Sequence, residues 1–377
     1  MIYFDNSATG GYKPHTVQET IIGVTKYLLA NPGRSGHRLS VTGGNFVYEA
    51  RKRISKFFNN DRVDKVIFTK NCTEALNIAI FGTLKKGDKV ITTIFEHNSV
   101  LRPLFHLRDL GIITLKIIAP TNNYNITLND IEREYTTNTN VVIVNHISNV
   151  TGAINEVEKI GNFLKDKNTI FIVDGAQSGG HIKIDMLSSG IDILCLAGHK
   201  GLLAMAGSGV LIFQKDIDIA PFMMGGTGTE TFNPHQPSCY PEKLEAGTLN
   251  LPSICSLLEG IRYLEKSITF IGDTLYEMTS YLIENLQKVD NIVIYSKPNM
   301  AGIVAFKILN ISSIEVGEIL SNRYDIAVRS GFHCAPLVHK FLKTDEDGLV
   351  RVSLSINNSK KEILTLISSL KAIVKSI

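Results

Sequence analysis

The chain has 377 residues, which is enough for one large domain and a smaller second one. Hydrophobic residues make up 44% and charged residues 20%, and the net charge of +3 is too small to indicate a nucleic acid or an anionic membrane as a partner. From the first residues we expect no amino-terminal leader, and the sequence contains no apolar run long enough to cross a membrane and no CxxC pair among its five cysteines. We therefore expect a cytoplasmic protein with no metal site and with at least one cysteine free to react.

The amino-terminal region combines a short extended lead with two predicted helices. Residues 1–12 contain a polar cluster at 5–9, and an amphipathic helix is predicted from about His15 to Leu29. After a loop at 34–37, a second helix is predicted that runs through Arg51 to Phe58.

From residue 66 onward, apolar β-rich runs alternate with helical patterns. Such alternation predicts βαβ units and an α/β fold with a largely parallel sheet. The last two strands have no helix of normal length after them, so one edge of the sheet is expected to be mixed. The predicted strands are Val66–Thr69, Lys89–Phe95, Thr114–Ile118, Val141–Ile147, Thr169–Val173, Ile193–Leu196 and Gly209–Phe213, and the predicted helices are Thr73–Phe81, Ser99–Leu110 and Glu156–Lys165.

The last third of the chain begins after a loop rich in Gly, Thr, Pro and His at 227–241, which is typical of a functional loop. The final helix is predicted by a capping box of Ser359 and Glu362. Its apolar face comprises Ile363, Leu366, Ile367, Leu370, Val374 and Ile377. Between loop and final helix, the predicted elements are a helix at Leu251–Gln287, strands at Asn291–Tyr295 and Gly302–Ile308, and a helix at Ser313–Asn322. We predict a large domain at 13–250 and a small domain made of 1–12 and 251–377.

Two of the predicted strands end in residues that suggest a cofactor. Asp174 follows the run at 169–173, and Lys200 follows the run at 193–196. Ligands of open α/β sheets bind at the carboxyl ends of the strands. A lysine that can form a Schiff base and a carboxylate that can keep a pyridine nitrogen protonated suit pyridoxal 5'-phosphate. The alternative is a structural ion pair at a strand end.

Further polar residues come at the same kind of position in the chain. Cys72 and Thr73 lie at a strand-to-helix turn, where backbone N–H groups and the Thr73 hydroxyl could hold a phosphate, although Thr73 could equally be a simple helix cap. His97, Asn149 and Gln177 also follow apolar strands. A histidine there can stack on a cofactor ring and move protons, and an amide can donate to a phenolic oxygen. Several such strand ends in register favour a cofactor site over isolated structural roles.

Seven short motifs lie in order along the chain: Asp5-Asn6-Ser7-Ala8-Thr9, Asn71-Cys72-Thr73-Glu74, Glu96-His97-Asn98, Ser148-Asn149-Val150-Thr151-Gly152, Asp174-Gly175-Ala176-Gln177, Gly198-His199-Lys200 and Glu245-Ala246-Gly247-Thr248-Leu249-Asn250. With these motifs the chain resembles the class V aminotransferase superfamily of enzymes that use pyridoxal 5'-phosphate. The resemblance spans essentially the whole chain, and it implies a fold type I architecture with a mainly parallel seven-stranded sheet and a smaller α+β domain.

The resemblance implies the roles of the cofactor residues. It implies that Lys200 holds the cofactor as a Schiff base, that Asp174 faces the pyridine nitrogen and that His97 stacks on the ring. The other contacts that it implies are with the phenolic oxygen, from Asn149 and Gln177, and with the phosphate, from Cys72, Thr73, His199 and, across the interface of a homodimer, Thr248. Arg351 matches the arginine that binds the substrate carboxylate in the family, as a bidentate guanidinium can. Asn6 and Arg329 are further candidate substrate contacts.

A second motif, Arg329-Ser330-Gly331-Phe332-His333-Cys334-Ala335-Pro336, is similar to the cysteine desulfurase and selenocysteine lyase branch. In that branch the thiolate of Cys334 would attack the sulfur of L-cysteine, leaving alanine and a persulfide on the enzyme. His333 and Arg329 are near enough in sequence to favour the thiolate, whereas His339 and Lys340 are expected at the surface. The run after Cys334 resembles enzymes that act with a dedicated sulfur-acceptor protein.

Three alternatives remain open from the sequence. The chain could act on L-selenocysteine, because selenium leaves more readily as an anion and can be released without a cysteine nucleophile. It could be an aminotransferase or β-lyase in which Cys334 is incidental. It could also be a non-catalytic sulfur-relay subunit that binds the cofactor without turnover, although the joint presence of Lys200, Asp174, His97 and Arg351 argues against that.

Overall fold

The computed structural model describes residues 1–28, 30–121, 124–214 and 217–376. The predicted end of the first helix at Leu29 and the last apolar position of the final helix, Ile377, lie outside these ranges. The amino-terminal part contains β1 (Ile2–Tyr3), α1 (His15–Tyr27) and α2 (Arg38–Phe57), followed by a short 3-10 helix (Val63–Lys65).

The middle of the chain folds as alternating strands and helices. Its elements are β2 (Val66–Thr69), α3 (Cys72–Thr83), β3 (Lys89–Thr93), α4 (Asn98–Asp109), β4 (Thr114–Ile118), α5 (Leu128–Glu134), β5 (Val141–Asn145), α6 (Val157–Leu164), β6 (Ile170–Asp174), β7 (Ile193–Ala197) and β8 (Gly209–Phe213). The carboxyl-terminal part contains α7 (Leu251–Leu286), β9 (Ile292–Ile294), β10 (Ile303–Ile308), α8 (Ser313–Tyr324), β11 (Ile326–Ala327), β12 (Arg329–Gly331), α9 (Pro336–Leu342), β13 (Leu349–Ser353) and α10 (Lys360–Lys375).

The main sheet has seven strands in the order β2-β8-β7-β6-β5-β3-β4. Strands β4, β3, β5, β6 and β7 run parallel, and β8 pairs antiparallel with both β7 and β2. Strands β5, β7 and β8 are buried along their whole length, as expected for a sheet covered by helices on both faces. The predictions of an α/β fold and of a mixed edge are therefore confirmed.

A second sheet forms from the carboxyl-terminal residues. It is antiparallel, in the order β12-β13-β10-β9. The amino-terminal strand β1 pairs in parallel with β11, so the two ends of the chain meet. This pairing supports our proposed division into a large domain at 13–250 and a small domain made of 1–12 and 251–377.

The sequence patterns missed the shortest elements. The helices α5 and α9 have seven residues each, and β11 and β12 have two and three, so none is long enough for a repeated apolar pattern to be recognised. The capping box of α10 is confirmed, because Ser359 accepts from the N–H of Glu362 and the Glu362 carboxylate accepts from the N–H of Ser359.

A buried ion pair ties α2 to the loop before α7. Arg51 and Glu245 are 6% and 9% exposed, and Glu245 Oε1 accepts from Arg51 Nη1 at 2.9 Å and from the backbone N–H of Phe68 at 2.6 Å. The Arg51 guanidinium also lies 4.6 Å from the centre of the Phe68 ring. Removing one member of such a pair leaves a buried charge without a partner.

We expect Glu245→Ala to lower the free energy of unfolding by about 3–5 kcal/mol, because it leaves the Arg51 charge uncompensated. Denaturant unfolding measures this change. The matched control is Glu49→Ala, since Glu49 pairs with Arg53 but is 39% exposed, and exposed pairs contribute only about 0–1 kcal/mol. Equal losses in the two variants would contradict the prediction.

Candidate active site

The predicted cofactor residues other than Thr248 converge on one cavity at the carboxyl edge of the main sheet. The loops that follow β2, β3, β5, β6 and β7 all contribute to it, because parallel strands bring their carboxyl ends to the same edge. The cavity is lined by Asn71, Cys72, Thr73, His97, Ser99, Asn145, Ile147, Asn149, Asp174, Ala176, Gln177, Ala197, His199 and Lys200.

Asp174 is the last residue of β6 and Lys200 follows β7, and both side chains line this cavity. Lys200 is half-buried and Asp174 is 5% exposed. Burial lowers the pKa of Lys200, and the nearby Arg351 and Arg329 charges act in the same direction, while Asp174 opposes them. Gly198 is needed for this turn, since a Cβ there would lie 2.1 Å from Ser208 Oγ. The side chain of Lys200 is therefore deprotonated to the neutral amine more readily than that of an exposed lysine.

Cys72 begins α3 and contacts Asp174. Its Sγ donates to Asp174 Oδ1 at 3.5 Å, and the backbone N–H of Ala176 donates to the same oxygen at 2.9 Å. Burial and the Asp174 charge raise the pKa of the Cys72 thiol, so it stays protonated. The side chain of Cys72 thus helps to orient the carboxylate, which leaves its backbone N–H as the group available for a phosphate.

His97 caps α4 with a fixed ring. Its Nδ1 accepts from the backbone N–H of Ser99 at 3.0 Å and lies 2.8 Å from Ser99 Oγ. Burial lowers the pKa of His97. Because Nδ1 is an acceptor, the neutral ring carries its hydrogen on Nε2.

Two buried amides leave hydrogen-bonding capacity unused. Asn149 Nδ2 donates to the carbonyl of His333 at 2.7 Å, and Gln177 Nε2 donates to the carbonyl of Ser7 at 3.1 Å. The Oδ1 of Asn149 and the Oε1 of Gln177 are buried without a partner, and each amide nitrogen carries a second hydrogen. Buried polar atoms without partners are uncommon. With a lysine and a carboxylate alongside, this donor set fits a polar aromatic group such as pyridoxal 5'-phosphate.

Part of the cavity lining has the features expected for an anion-binding site. The first turn of α3 brings Thr73 and its backbone to the cavity, where a helix amino terminus favours negative charge. His199 also lines it, and its Nδ1 lies 3.1 Å from Thr9 Oγ1. Burial lowers the pKa of His199 to about 4, so the ring is neutral near pH 7 and can contribute a hydrogen bond but no charge.

Arg351 is buried, with 1% exposure, in β13. Its Nη2 pairs with Asp5 Oδ1 at 2.8 Å and its Nη1 donates to the backbone carbonyl of Asn149 at 2.9 Å. Burial lowers the pKa of Arg351, and Asp5 offsets part of that effect. The arginine is therefore next to the site with a resident carboxylate partner, a pairing that the sequence analysis missed.

Cys334 is exposed on a hairpin-shaped turn at residues 332–335 between β12 and α9, which we name the Cys334 hairpin. Its Sγ is 3.9 Å from Arg329 Nη2, which puts a positive charge beside the thiol. The backbone N–H of Asn98, next to His97, donates to the Cys334 carbonyl at 2.8 Å. The second contact joins the turn to the rim of the Lys200 cavity.

Two expectations about the histidines near Cys334 are wrong. His339 is fully buried rather than at the surface, because the inner face of α9 packs beneath the Cys334 hairpin, while Lys340 is exposed as predicted. The rings of His333 and His339 stack with centres 5.6 Å apart. Burial, with Arg351 and His339 nearby, lowers the pKa of His333 well below its usual value, so it supplies no positive charge to the thiol.

Two candidate contacts do not line this cavity. Asn6 uses its amide on the backbone, with Nδ2 donating to the Ser353 carbonyl at 2.9 Å and Oδ1 accepting from Gly11 N at 3.0 Å. Asn6 lines a second pocket to which Lys200 also contributes, and its contact with the substrate stays a prediction. Thr248 is exposed and lies outside the Lys200 cavity.

Sequence reasoning also missed two polar residues in this region. Asn145 lies inside a predicted strand but lines the cavity, and its Nδ2 donates to the Phe95 carbonyl at 2.7 Å. Glu96 is fully buried, and burial raises its pKa to about 8. Its Oε1 accepts from Thr93 Oγ1 at 2.6 Å. The signal that could have found both is the same strand-end position that identified His97.

We expect acid to destabilise the fold through His146, which follows β5. Burial lowers the pKa of His146 to about 4 in the folded protein. Between about pH 6.5 and pH 4 the unfolded chain binds a proton that the folded chain does not, so the free energy of unfolding falls by about 3 kcal/mol as the pH is lowered.

Denaturant unfolding at several pH values measures the slope of the free energy of unfolding against pH, and His146→Gln should make this slope smaller. His15→Gln is the control, since His15 is 81% exposed, and it should keep the wild-type slope. An unchanged slope in His146→Gln would contradict the assignment.

Among the described residues, no three His, Cys, Asp or Glu side chains are grouped as a metal ion would require. None of the helices within the described ranges is both long and apolar enough to cross a bilayer.

Comparison with known proteins gives a consistent set of relatives. The family model for aminotransferase class-V matches residues 2–366. A probable cysteine desulfurase of Pyrococcus abyssi is 36% identical over 395 residues, covering 100% of this chain and 95% of that protein. A probable cysteine desulfurase of Methanothermobacter thermautotrophicus is 33% identical, and the match covers 99% of this chain and 94% of that protein. The apo structure of a cysteine desulfurase from Thermococcus onnurineus superposes with a TM-score of 0.92 at 33% identity, covering 100% of this chain and 95% of that one.

Proposed function

Because the chain belongs to the class-V aminotransferase family and, within it, to the cysteine desulfurases, we propose that it converts L-cysteine to L-alanine with pyridoxal 5'-phosphate held at Lys200. Enzymes of this family use that cofactor. The observation that carries the proposal is that the Cys334 hairpin is hydrogen-bonded to the rim of the cavity that contains Lys200 and Asp174. A nucleophilic thiol and a cofactor lysine are what desulfuration requires.

When bound, pyridoxal 5'-phosphate supplies an electron sink for the substrate carbon atoms. Lys200 moves the α-proton of the substrate at Nζ, and its lowered pKa makes the neutral amine available for this. Asp174, oriented by Cys72 and Ala176, would hold a proton on the ring nitrogen. His97 would stack on the ring with Nε2–H as its free donor, while Asn149 and Gln177 would each have a second amide hydrogen to donate to the phenolic oxygen.

Arg351 binds the substrate carboxylate. Its guanidinium is a planar fork that matches a carboxylate, and Asp5 occupies one of its nitrogens before substrate arrives. Substrate binding therefore exchanges one carboxylate for another at this buried charge. Arg329, which lies beside the Cys334 thiol, is the second positively charged residue that we propose to contact the substrate.

Cys334 takes the sulfur. Its thiolate attacks the substrate sulfur, so an S–S bond forms while the Cβ–S bond breaks. The electron pair of the broken bond stays with the carbon skeleton, which takes up protons and leaves as alanine. Cys334 then carries a persulfide, and a reductant or an acceptor thiol removes the outer sulfur.

The wider assembly is also part of the proposal. A homodimer would let the exposed Thr248 reach the phosphate of the neighbouring subunit, and a sulfur-acceptor protein would collect the persulfide from the exposed Cys334. The cytoplasm is the proposed compartment, supported by the fact that none of the cysteines at 72, 195, 239, 255 and 334 is in a disulfide.

The experiment is to measure alanine and sulfide from L-cysteine with the cofactor-loaded protein and a reductant, with L-selenocysteine run in parallel. We expect equal amounts of alanine and sulfide, and no product when the cofactor has been removed. Faster turnover of selenocysteine would identify it as the preferred substrate. No alanine from either substrate would overturn the proposal.

A further inference from the structure

The Cys334 hairpin adopts an unfavourable backbone conformation. His333 has φ +51° and Cys334 has φ +56°, so two adjacent residues other than glycine lie in the left-handed region. Side chains with a Cβ rarely adopt this region, and such strain persists only where surrounding contacts maintain it. Contacts outside the hairpin must therefore hold Cys334 in place.

Two hydrogen bonds from the main sheet's loops provide such contacts. The backbone N–H of Asn98 donates to the Cys334 carbonyl at 2.8 Å, and Asn149 Nδ2 donates to the His333 carbonyl at 2.7 Å. Both strained residues are thus fixed through their carbonyl groups. Of the two donors, only Asn149 is a side chain, so it is the one that a substitution can remove.

Asn149 is also hydrogen-bonded to Arg351, the residue proposed to bind the substrate carboxylate. Its own backbone carbonyl accepts from Arg351 Nη1 at 2.9 Å, and its side chain lines the cavity with Lys200. The residue is 8% exposed, and its amide oxygen has no partner. One residue therefore connects the arginine, the cavity and the hairpin that carries the thiol.

We propose that Asn149 is a positioning residue for Cys334, and that its amide holds the hairpin so that the thiol stays beside the Arg329 guanidinium at the rim of the Lys200 cavity. This role is additional to any contact of Asn149 with the cofactor. It rests on the proposed function in that Cys334 is taken as the nucleophile.

The test separates the two roles of Asn149 by measuring two steps in the cofactor-loaded enzyme. Persulfide formation from L-cysteine needs Cys334, whereas exchange of the α-proton of L-alanine in D2O needs Lys200 and the cofactor but no thiol. In Asn149→Asp and Asn149→Ala, we expect persulfide formation to fall at least about tenfold more than α-proton exchange, a difference of about 1.4 kcal/mol. The aspartate variant keeps the size of the side chain if the alanine variant does not fold.

A second readout does not depend on turnover. Amide hydrogen exchange should increase in the peptide that contains 332–336 and stay unchanged in β6 and β7, because only the hairpin loses its donor. Asn98→Ala is the matched control, since its donor is the backbone N–H, and both readouts should stay within about twofold of wild type. Equal losses in the two steps, or unchanged exchange at 332–336, would overturn the proposal. Failure of the proposed function would instead appear as no persulfide in the wild-type enzyme.

Discussion

Replacing Lys200 with alanine is expected to lower turnover of L-cysteine at least about 10³-fold, or about 4 kcal/mol in the activation free energy. The lysine would both hold the cofactor and move the α-proton, and a positioned general base alone contributes about 10²–10⁴-fold. Its amine is suited to both tasks because burial lowers its pKa, although the Asp174 charge opposes this effect. Alanine formation under saturating cofactor measures the effect.

The control for this variant is another half-buried lysine near the same loop. Lys13 Nζ donates to the His199 carbonyl at 3.2 Å, and burial lowers its pKa to about 8. Lys13→Ala removes a comparable amine whose side chain does not line the cavity and which contacts His199 only at its backbone carbonyl, so we expect turnover within about fivefold of wild type. Added methylamine should restore part of the activity of Lys200→Ala only. If Lys200→Ala kept more than a tenth of wild-type turnover, the assignment of Lys200 would be wrong.

The sequence predicts the cavity well because its geometry follows from local rules. Each of Asp174, His97, Asn149 and Lys200 comes just after an apolar strand, and parallel strands deliver such residues to one edge of the sheet. Neither the order of the strands nor any tertiary contact is needed to make that prediction. Motif resemblance then added the roles that strand ends alone could not specify.

The parts that the sequence did not predict depend on distant contacts. Asp5 and Arg351 are 346 positions apart, and no pattern in either segment indicates that they pair. The burial of His339 depends on α9, a seven-residue helix that begins with Pro336 and is too short to show a period. His333 lost its expected charge for the same reason, because the stack with His339 excludes water from both rings. The pairing of Asp5 with Arg351 and the burial of the two histidines are therefore set by tertiary packing.

The surroundings of the Cys334 thiol also differ from those that the sequence suggested. Sequence proximity suggested that both His333 and Arg329 supply positive charge to Cys334, whereas of these two only Arg329 does so, with its Nη2 at 3.9 Å from the sulfur. The neutral His333 instead anchors the hairpin through its buried ring and its carbonyl. We therefore expect the reactivity of Cys334 to depend on the position of the hairpin.

Replacing Cys334 with alanine is expected to lower sulfur transfer from L-cysteine at least about 10³-fold, because no other thiol in the described chain can take its place. Cys72 and Cys195 are buried, and burial raises the pKa of both thiols well above the usual value. Turnover of L-selenocysteine should fall less, since selenium leaves more readily as an anion and needs no sulfur nucleophile.

The measurement is alanine formed from each substrate, together with the mass of the Cys334 peptide, which should gain one sulfur atom in the wild-type enzyme. Cys239→Ala is the matched control, because Cys239 is the other exposed free thiol and lies outside the Lys200 cavity. It should retain full activity and leave the persulfide on Cys334. If Cys334→Ala turned over L-cysteine at the wild-type rate, Cys334 would be incidental, and the chemistry would be that of a β-lyase acting through Lys200 without a thiol.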